Sequence, residues 1–349
     1  MLLCAFECLQ FGGYCSYRRF KFLQAKYVGI SITLKLAVLH TFWYRCASDT
    51  DVCCKVRCGK RRLDTQLFTK DKANFAEFPW MLAILYRNDY HCGASLIHPQ
   101  VALTAAHCVQ NPGPYKVRAG EWDRYSRGEP LDHEDRAAEK IIIHPAYNAN
   151  SLKNDIALII VDEPFPLQDN IGVVCLPHQN SYIIQQECLV TGWGKTSHHT
   201  LWRSNILKKT ILPVVSHGFC QMLLQFYLGS TFTLDSTFIC AGGQNKDTCQ
   251  GDGGSPLMCE VARTENVYVQ FGIVSWGLKC GTTDVPGVYV SVVQFVHWID
   301  RQMALHGFHS SVYGKMGFEK RTYQRRNPNR VLSFEGGHTS VYKVRDTQH

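Results

Sequence analysis

The strongest constraint in this chain of 349 residues is a recurrence of short apolar runs between residues 81 and 292. Met81 to Tyr86, Ala94 to Ile97, Val101 to Thr104, Ala157 to Val161, Cys188 to Thr191, Tyr268 to Trp276 and Gly287 to Val292 are rich in β-branched and aromatic residues. Gly, Pro and Asn separate them, a pattern that predicts an all-β barrel or sandwich. Apolar residues make up 45% of the chain, enough for a sizeable core, and 27 glycines with 13 prolines supply the turns such a fold needs. A helix is predicted only over residues 294–303, where Phe295, Val296, Trp298, Ile299 and Met303 form an apolar face.

Sixteen cysteines point to disulfides and an oxidising compartment. Zinc is the competing use of so many thiols, but no C-x-x-C pair repeats at ligand spacing. The formal charge of +8 lies at the two ends, since residues 1–57 and residues 304–349 each carry eight Lys/Arg against three Asp/Glu. The body between them is slightly acidic, so nothing in it asks for a nucleic-acid partner.

The chemistry is carried by a few short motifs. Thr104-Ala105-Ala106-His107-Cys108, Asn154-Asp155-Ile156-Ala157-Leu158, Thr191-Gly192-Trp193-Gly194, Gly251-Asp252-Gly253-Gly254-Ser255-Pro256, Val274-Ser275-Trp276-Gly277 and Pro286-Gly287-Val288-Tyr289 occur in that order. Together they resemble the chymotrypsin-like serine proteases over about residues 58–303. The order His, Asp, nucleophile loop is that of this family and not of other folds with the same triad. The resemblance implies two packed six-stranded antiparallel β-barrels with a C-terminal helix. It makes His107 the general base and Asp155 its orienter, with backbone N–H groups of Gly251 and Gly253 forming the oxyanion hole.

The nucleophile loop departs from the family pattern G-D-S-G-G-P. Glycine, Gly253, stands at the nucleophile position and offers nothing that could attack a carbonyl. Ser255 follows two residues later, roughly 6–7 Å along an extended backbone and out of reach of the base. A second departure concerns activation. Where the family is cut to expose Ile-Val-Gly-Gly, this chain has Leu67-Phe68-Thr69-Lys70 behind Gln66, and the nearest basic cluster is Lys60-Arg61-Arg62. Asp252 is therefore expected to lack the ammonium partner that orders the loop, leaving a zymogen-like pocket.

By the same resemblance Asp247 takes the place of the carboxylate that binds Arg or Lys, with Ser275, Gly277 and Gly287 around it. It could equally be an inherited, solvated loop residue without a ligand. Glu121, Asp123 and Glu134 flank a loop in which some relatives hold calcium, so a Ca2+ ion there is a further expectation. Family pairing gives Cys92–Cys108, Cys188–Cys259, Cys220–Cys240, Cys249–Cys280 and Cys58–Cys175.

The N-terminal segment, residues 1–57, carries six cysteines ending in the pair Cys53-Cys54, and partly resembles the clip domain that precedes arthropod protease domains. Its apolar stretch 27–44 follows a basic patch, as in a signal-anchor, yet contains Lys35 and His40, which are costly at a bilayer centre. Residues 304–349 are basic and poor in aliphatics, the composition of a disordered tail. The resemblance as a whole is to clip-type serine protease homologues: secreted, inactive relatives that act as cofactors in immune cascades, with prophenoloxidase or its activating protease as partner. Two other readings stay open: an active trypsin-like endopeptidase using Ser255, and an adhesion module that uses the fold as a surface.

Overall fold

The computed structural model describes residues 58–63 and 71–316, apart from short loop segments at 127, 184–185, 196–198, 244–246, 262–263, 265, 279 and 281–283. It also describes the backbone of Tyr14–Ser16 (β1) and Cys53–Lys55 (β2), which pair antiparallel with Cys15 opposite Cys54. The stretch 27–44, most of the clip-like segment and the Leu67 to Lys70 region lie outside the described residues. Among the described residues no helix is long and apolar enough to cross a membrane.

The first barrel is built from Met81–Tyr86 (β3), Asp89–His98 (β4), Val101–Thr104 (β5), Tyr115–Ala119 (β6), Glu134–Ile143 (β7) and Ala157–Val161 (β8). β3, β5 and β8 are buried on both faces and read as continuous apolar runs. In β6 burial alternates, with Tyr115, Val117 and Ala119 inward and Lys116 outward, because successive side chains leave opposite faces. The strands close in the order β3-β4-β5-β8-β7-β6, which removes free edges.

Glu187–Gly192 (β10), Lys208–Val215 (β11), Phe238–Ala241 (β12), Pro256–Glu260 (β13), Tyr268–Trp276 (β14) and Gly287–Ser291 (β15) make the second barrel, closed in the order β10-β11-β12-β15-β14-β13. Between the barrels in sequence lies Leu176–Pro177 (β9). The double-barrel fold expected from the motifs is therefore the observed one.

Among the described residues two α-helices accompany the barrels. His217–Leu228 (α1) is a helix that the sequence reading did not anticipate. Ser216 caps it by accepting the Phe219 N–H, and Cys220 and Leu224 are its buried residues. Its apolar residues Phe219, Met222 and Phe226 face solvent, which blurs the periodicity that betrays a surface helix. Val292–Leu305 (α2) buries Val292, Phe295, Val296, Ile299 and Met303, extending the predicted segment at both ends.

The expected boundary at residue 303 is corrected. The chain stays folded to Lys315–Met316 (β16), which pairs parallel with β9. Tyr313 is fully buried and donates its hydroxyl to Asp300 at 2.6 Å, anchoring the segment to α2. One buried aromatic thus outweighs the polar composition around it.

The described cysteines form Cys58–Cys175, Cys92–Cys108, Cys188–Cys259, Cys220–Cys240 and Cys249–Cys280. A charge cluster adds a further tie. The Glu77 carboxylate is fully buried, bonds to the Arg61 guanidinium, accepts the Lys209 ammonium from β11 at 2.9 and 3.0 Å, and accepts the Asn74 N–H at 2.7 Å. Removing one partner of such a group leaves uncompensated charge inside the protein. Glu77→Ala is expected to destabilise the fold by about 3 kcal/mol or more in chemical denaturation. A loss below about 1 kcal/mol, the range of exposed pairs, would contradict this account of the cluster.

Candidate functional site

Strand pairing brings the first two site residues together. β5 and β8 run antiparallel with Thr104 opposite Ala157, so the chain just after Thr104 lies beside the chain just before Ala157. His107, in the 3-10 turn Ala106–Cys108, there meets Asp155. The imidazole Nδ1 lies 2.7 Å from Asp155 Oδ2, and the His107 N–H donates to Oδ1 at 2.8 Å. Asp155 is fully buried and also accepts the Ser275 hydroxyl at 2.6 Å. The hydroxyl of Ser275, expected at the pocket, thus serves the His–Asp pair. The pair has the geometry of a general base held by a carboxylate.

The nucleophile loop connects β12 to β13 and turns at Gly251 and Gly254, whose φ angles of +98° and +79° suit glycine. Gly253 carbonyl oxygen accepts the Gly93 N–H of β4 at 2.8 Å, fixing the loop against the first barrel. The missing side chain would project at the base, since a Cβ on Gly253 would lie 2.7 Å from His107 Nε2. That is closer than a Cβ can sit, so a serine here requires the imidazole to shift while Asp155 holds its other nitrogen.

Ser255 is not directed at His107. Its side chain is fully buried, and its hydroxyl has no hydrogen-bond partner among the described residues. A Cβ on Gly93 or Gly192 would lie 2.1 or 3.2 Å from that oxygen, so Ser255 fills a niche left by two glycines.

Asp252 has partners within the folded body that the sequence reading did not name. Its Oδ1 accepts the Gly194 N–H at 2.7 Å, its Oδ2 accepts the Cys249 N–H at 3.0 Å, and the Lys208 ammonium stands 3.8 Å from Oδ2. Lys208 comes from β11 and is the cation that the motif reading missed. The N–H groups of Gly251 and Gly253 have no partner among the described residues, as an open donor pair requires. Arg203 is a second omission. Its Nε would be 3.0 Å from a Cβ on Gly251, and its guanidinium donates to the Tyr90 carbonyl at 2.6 Å. Tyr90 in turn donates its hydroxyl to the Gly251 carbonyl at 2.7 Å. Neither cation belongs to a motif, so no local signal in the sequence marks them.

Asp247 is flanked by the two expected glycines, for a Cβ on Gly287 or Gly277 would lie 2.3 or 3.4 Å from its carboxylate oxygens. Its Oδ1 accepts the Thr248 N–H at 2.7 Å, while Oδ2 is buried without a hydrogen bond among the described residues. Burial pushes this carboxyl up to about 7, against the pull of the Thr248 donors.

The calcium expectation fails on geometry. Glu121, Asp123 and Glu134 do not converge. Glu121 pairs with Arg118 at 3.0 Å and lies 3.5 Å from His133 Nδ1, Glu134 pairs with Arg136, and Asp123 accepts the Tyr125 N–H. Glu121 does approach Glu129 and His133. Glu129 accepts the Trp122 and Asp123 N–H groups, and one oxygen of Glu121 accepts from the Arg118 guanidinium at 3.0 Å. Glu121, Asp123 and Glu134 therefore do not form one site.

Residues 68–299 match the family model described as Trypsin. Phenoloxidase-activating factor 2 of Galleria mellonella is 44% identical over 69% of this chain and 86% of its own length. Two mosquito proteins, Inactive CLIP domain-containing serine protease A28 of Anopheles gambiae and A3 of Aedes aegypti, are each 37% identical over 66% and 74% of this chain. The match spans only 62% and 57% of those two relatives. By the match over residues 68–299 and by these relatives, the chain, with its double barrel and its paired His107 and Asp155, belongs to the trypsin family of serine proteases, among the CLIP-type homologues.

Proposed function

We propose that this protein is a catalytically inactive protease homologue. In this reading it is secreted and acts as a binding cofactor in an arthropod immune cascade that leads to prophenoloxidase activation. The observation that carries the reading is Gly253, which stands against His107 with no group able to attack. His107 and Asp155 stay paired beside it, and the Gly251 and Gly253 N–H groups have no partner among the described residues. Loss of a triad nucleophile costs roughly 10⁶ in turnover in a protease of this design. Support for the cascade comes from relatives named as a phenoloxidase-activating factor and as inactive CLIP proteases. The disulfides suit an oxidising, extracellular setting.

The test is reconstitution with an activating protease and prophenoloxidase. Adding this protein should raise the yield of active phenoloxidase severalfold while the protein itself leaves prophenoloxidase uncut. No change in yield would remove the cofactor role and leave the adhesion module as the reading.

Ser255 separates the inactive protein from an enzyme. Hydrolysis of Arg-containing ester reporters should stay at background in both the native protein and Ser255→Ala. The substitution also removes a buried hydroxyl without a partner, so it should raise stability by about 1 kcal/mol. A fall in measurable hydrolysis on that substitution would make Ser255 a nucleophile.

Asp247 gives a pH signature. Burial pushes its carboxyl up to about 7 in the folded state, above the ordinary carboxylate value of 3.8, so the folded state holds this proton more tightly than the unfolded chain does. The stability cost of ionising it is absent at pH 4, grows as pH rises, and is complete above pH 7. Asp247→Asn should therefore raise the melting temperature at pH 8 and have little effect at pH 4. An equal effect at both values would contradict the burial of this carboxylate.

A further inference from the structure

Three large apolar side chains stand in solvent on two neighbouring loops: Tyr125 is 80% exposed, Leu201 80% and Trp202 82%. Arg124 ties these loops together. Its N–H donates to the Asn205 carbonyl at 3.1 Å, and its guanidinium donates to the Ser204 carbonyl at 3.0 and 3.3 Å. Arg203, next to Trp202, donates to the Tyr90 carbonyl at 2.6 Å. Both guanidiniums lie over the Tyr90 ring, 4.6 and 5.4 Å from its centroid, and Arg124 is 5.5 Å from that of Tyr125. Neither arginine is in an ion pair among the described residues; neutral carbonyls and rings hold both. Asp123, the acid beside Arg124 in sequence, accepts the Tyr125 N–H instead. The charge is felt next to Tyr90, where burial first and then Arg203 and His107 hold the His91 imidazole below its ordinary value.

Trp, Tyr and Arg are the residue types that most often dominate the binding energy of protein interfaces. Here the two arginines are fixed before any partner arrives. Stacking on Tyr90 and bonds to carbonyls remove rotamer freedom that association would otherwise have to take away. Complementarity defines the occupant. Two held cations without acids call for carboxylates, with which guanidinium forms charge-assisted hydrogen bonds. Trp202, Leu201 and Tyr125 call for apolar side chains among those carboxylates. A sulfated glycan or nucleic acid is drawn instead by an extended basic field, whereas residues 58–303 are slightly acidic as a whole. We propose that the surface formed by Tyr125, Leu201 and Trp202 around Arg124 and Arg203 docks an acidic segment of a partner protein, one that carries Phe or Leu between its Asp or Glu residues. The surface uses neither His107 nor Asp155, and the inference stands whether or not the cascade role does.

Fluorescence anisotropy with the full chain and a labelled synthetic peptide of Glu, Phe and Leu tests it. Binding should weaken as salt rises, and replacing the peptide's Glu by Gln, or its Phe and Leu by Ala, should cost about tenfold or more in affinity. Trp202→Ala and Arg124→Gln should each weaken the parent peptide by about tenfold or more. Because Trp202 is 82% exposed, Trp202→Ala should melt at the same temperature as the native protein, which separates lost binding from lost fold. No binding at millimolar peptide, or an affinity untouched by Trp202→Ala, would overturn the proposal. So would a heparin fragment that binds more tightly than the peptide and is insensitive to Trp202→Ala, since that result would make the patch a site for polyanions.

Discussion

The carboxylate of Asp252 is the group on which the rest of the site depends. It is buried, accepts N–H groups from Gly194 and Cys249, and has the Lys208 ammonium nearby. A buried carboxylate in such a position is tolerable only because those partners satisfy it. Space is part of the arrangement, for a Cβ on Gly192 or Gly194 would approach within 2.2 or 2.5 Å of its side chain. Held there, Asp252 fixes the loop that carries Asp247, Gly251 and Gly253. Its partners among the described residues, Gly194, Cys249 and Lys208, all belong to the folded body.

That order explains how the fold outlives its chemistry. The His107–Asp155 pair is set by the pairing of β5 with β8, and the donor pair by the backbone of a loop clamped to Gly93 and Gly194. None of these depends on the side chain at residue 253. Exchanging serine for glycine there removes the attacking oxygen and lets the imidazole stand closer than a side chain would permit. The reverse change is consequently more than restoring a hydroxyl, since the imidazole must give way while Asp155 holds it. Binding geometry and turnover have been separated at one residue.

What the sequence revealed and what it hid follow from the range of the forces involved. His107, Asp155, Asp247 and the loop glycines were legible because their roles depend on residue type at fixed offsets within short motifs. The double barrel was legible because strands buried on both faces must be continuous apolar runs, as in β3 and β8. Lys208 was not, because one lysine on a strand looks the same whether it meets water or Asp252, and the contact spans 44 residues of chain. The helix α1 stayed hidden because its apolar residues point both ways, and the ordered segment to Met316 because a single Tyr313 anchors it. The acidic loop misled for a different reason: Arg118 and Arg136 stand three and two residues along the chain from Glu121 and Glu134 and neutralise them, and the sequence reading counted the acids without these neighbours.

The central claim, that the site keeps its base and orienter but holds no nucleophile, is met most directly by a fluorophosphonate probe, which reacts only with a serine activated by its base. Intact mass spectrometry of the folded protein after exposure should show no adduct under conditions that label an active trypsin completely. A stoichiometric adduct mapped to Ser255 would contradict the account, because it would require that hydroxyl to leave its niche beside Gly93 and Gly192 and reach His107.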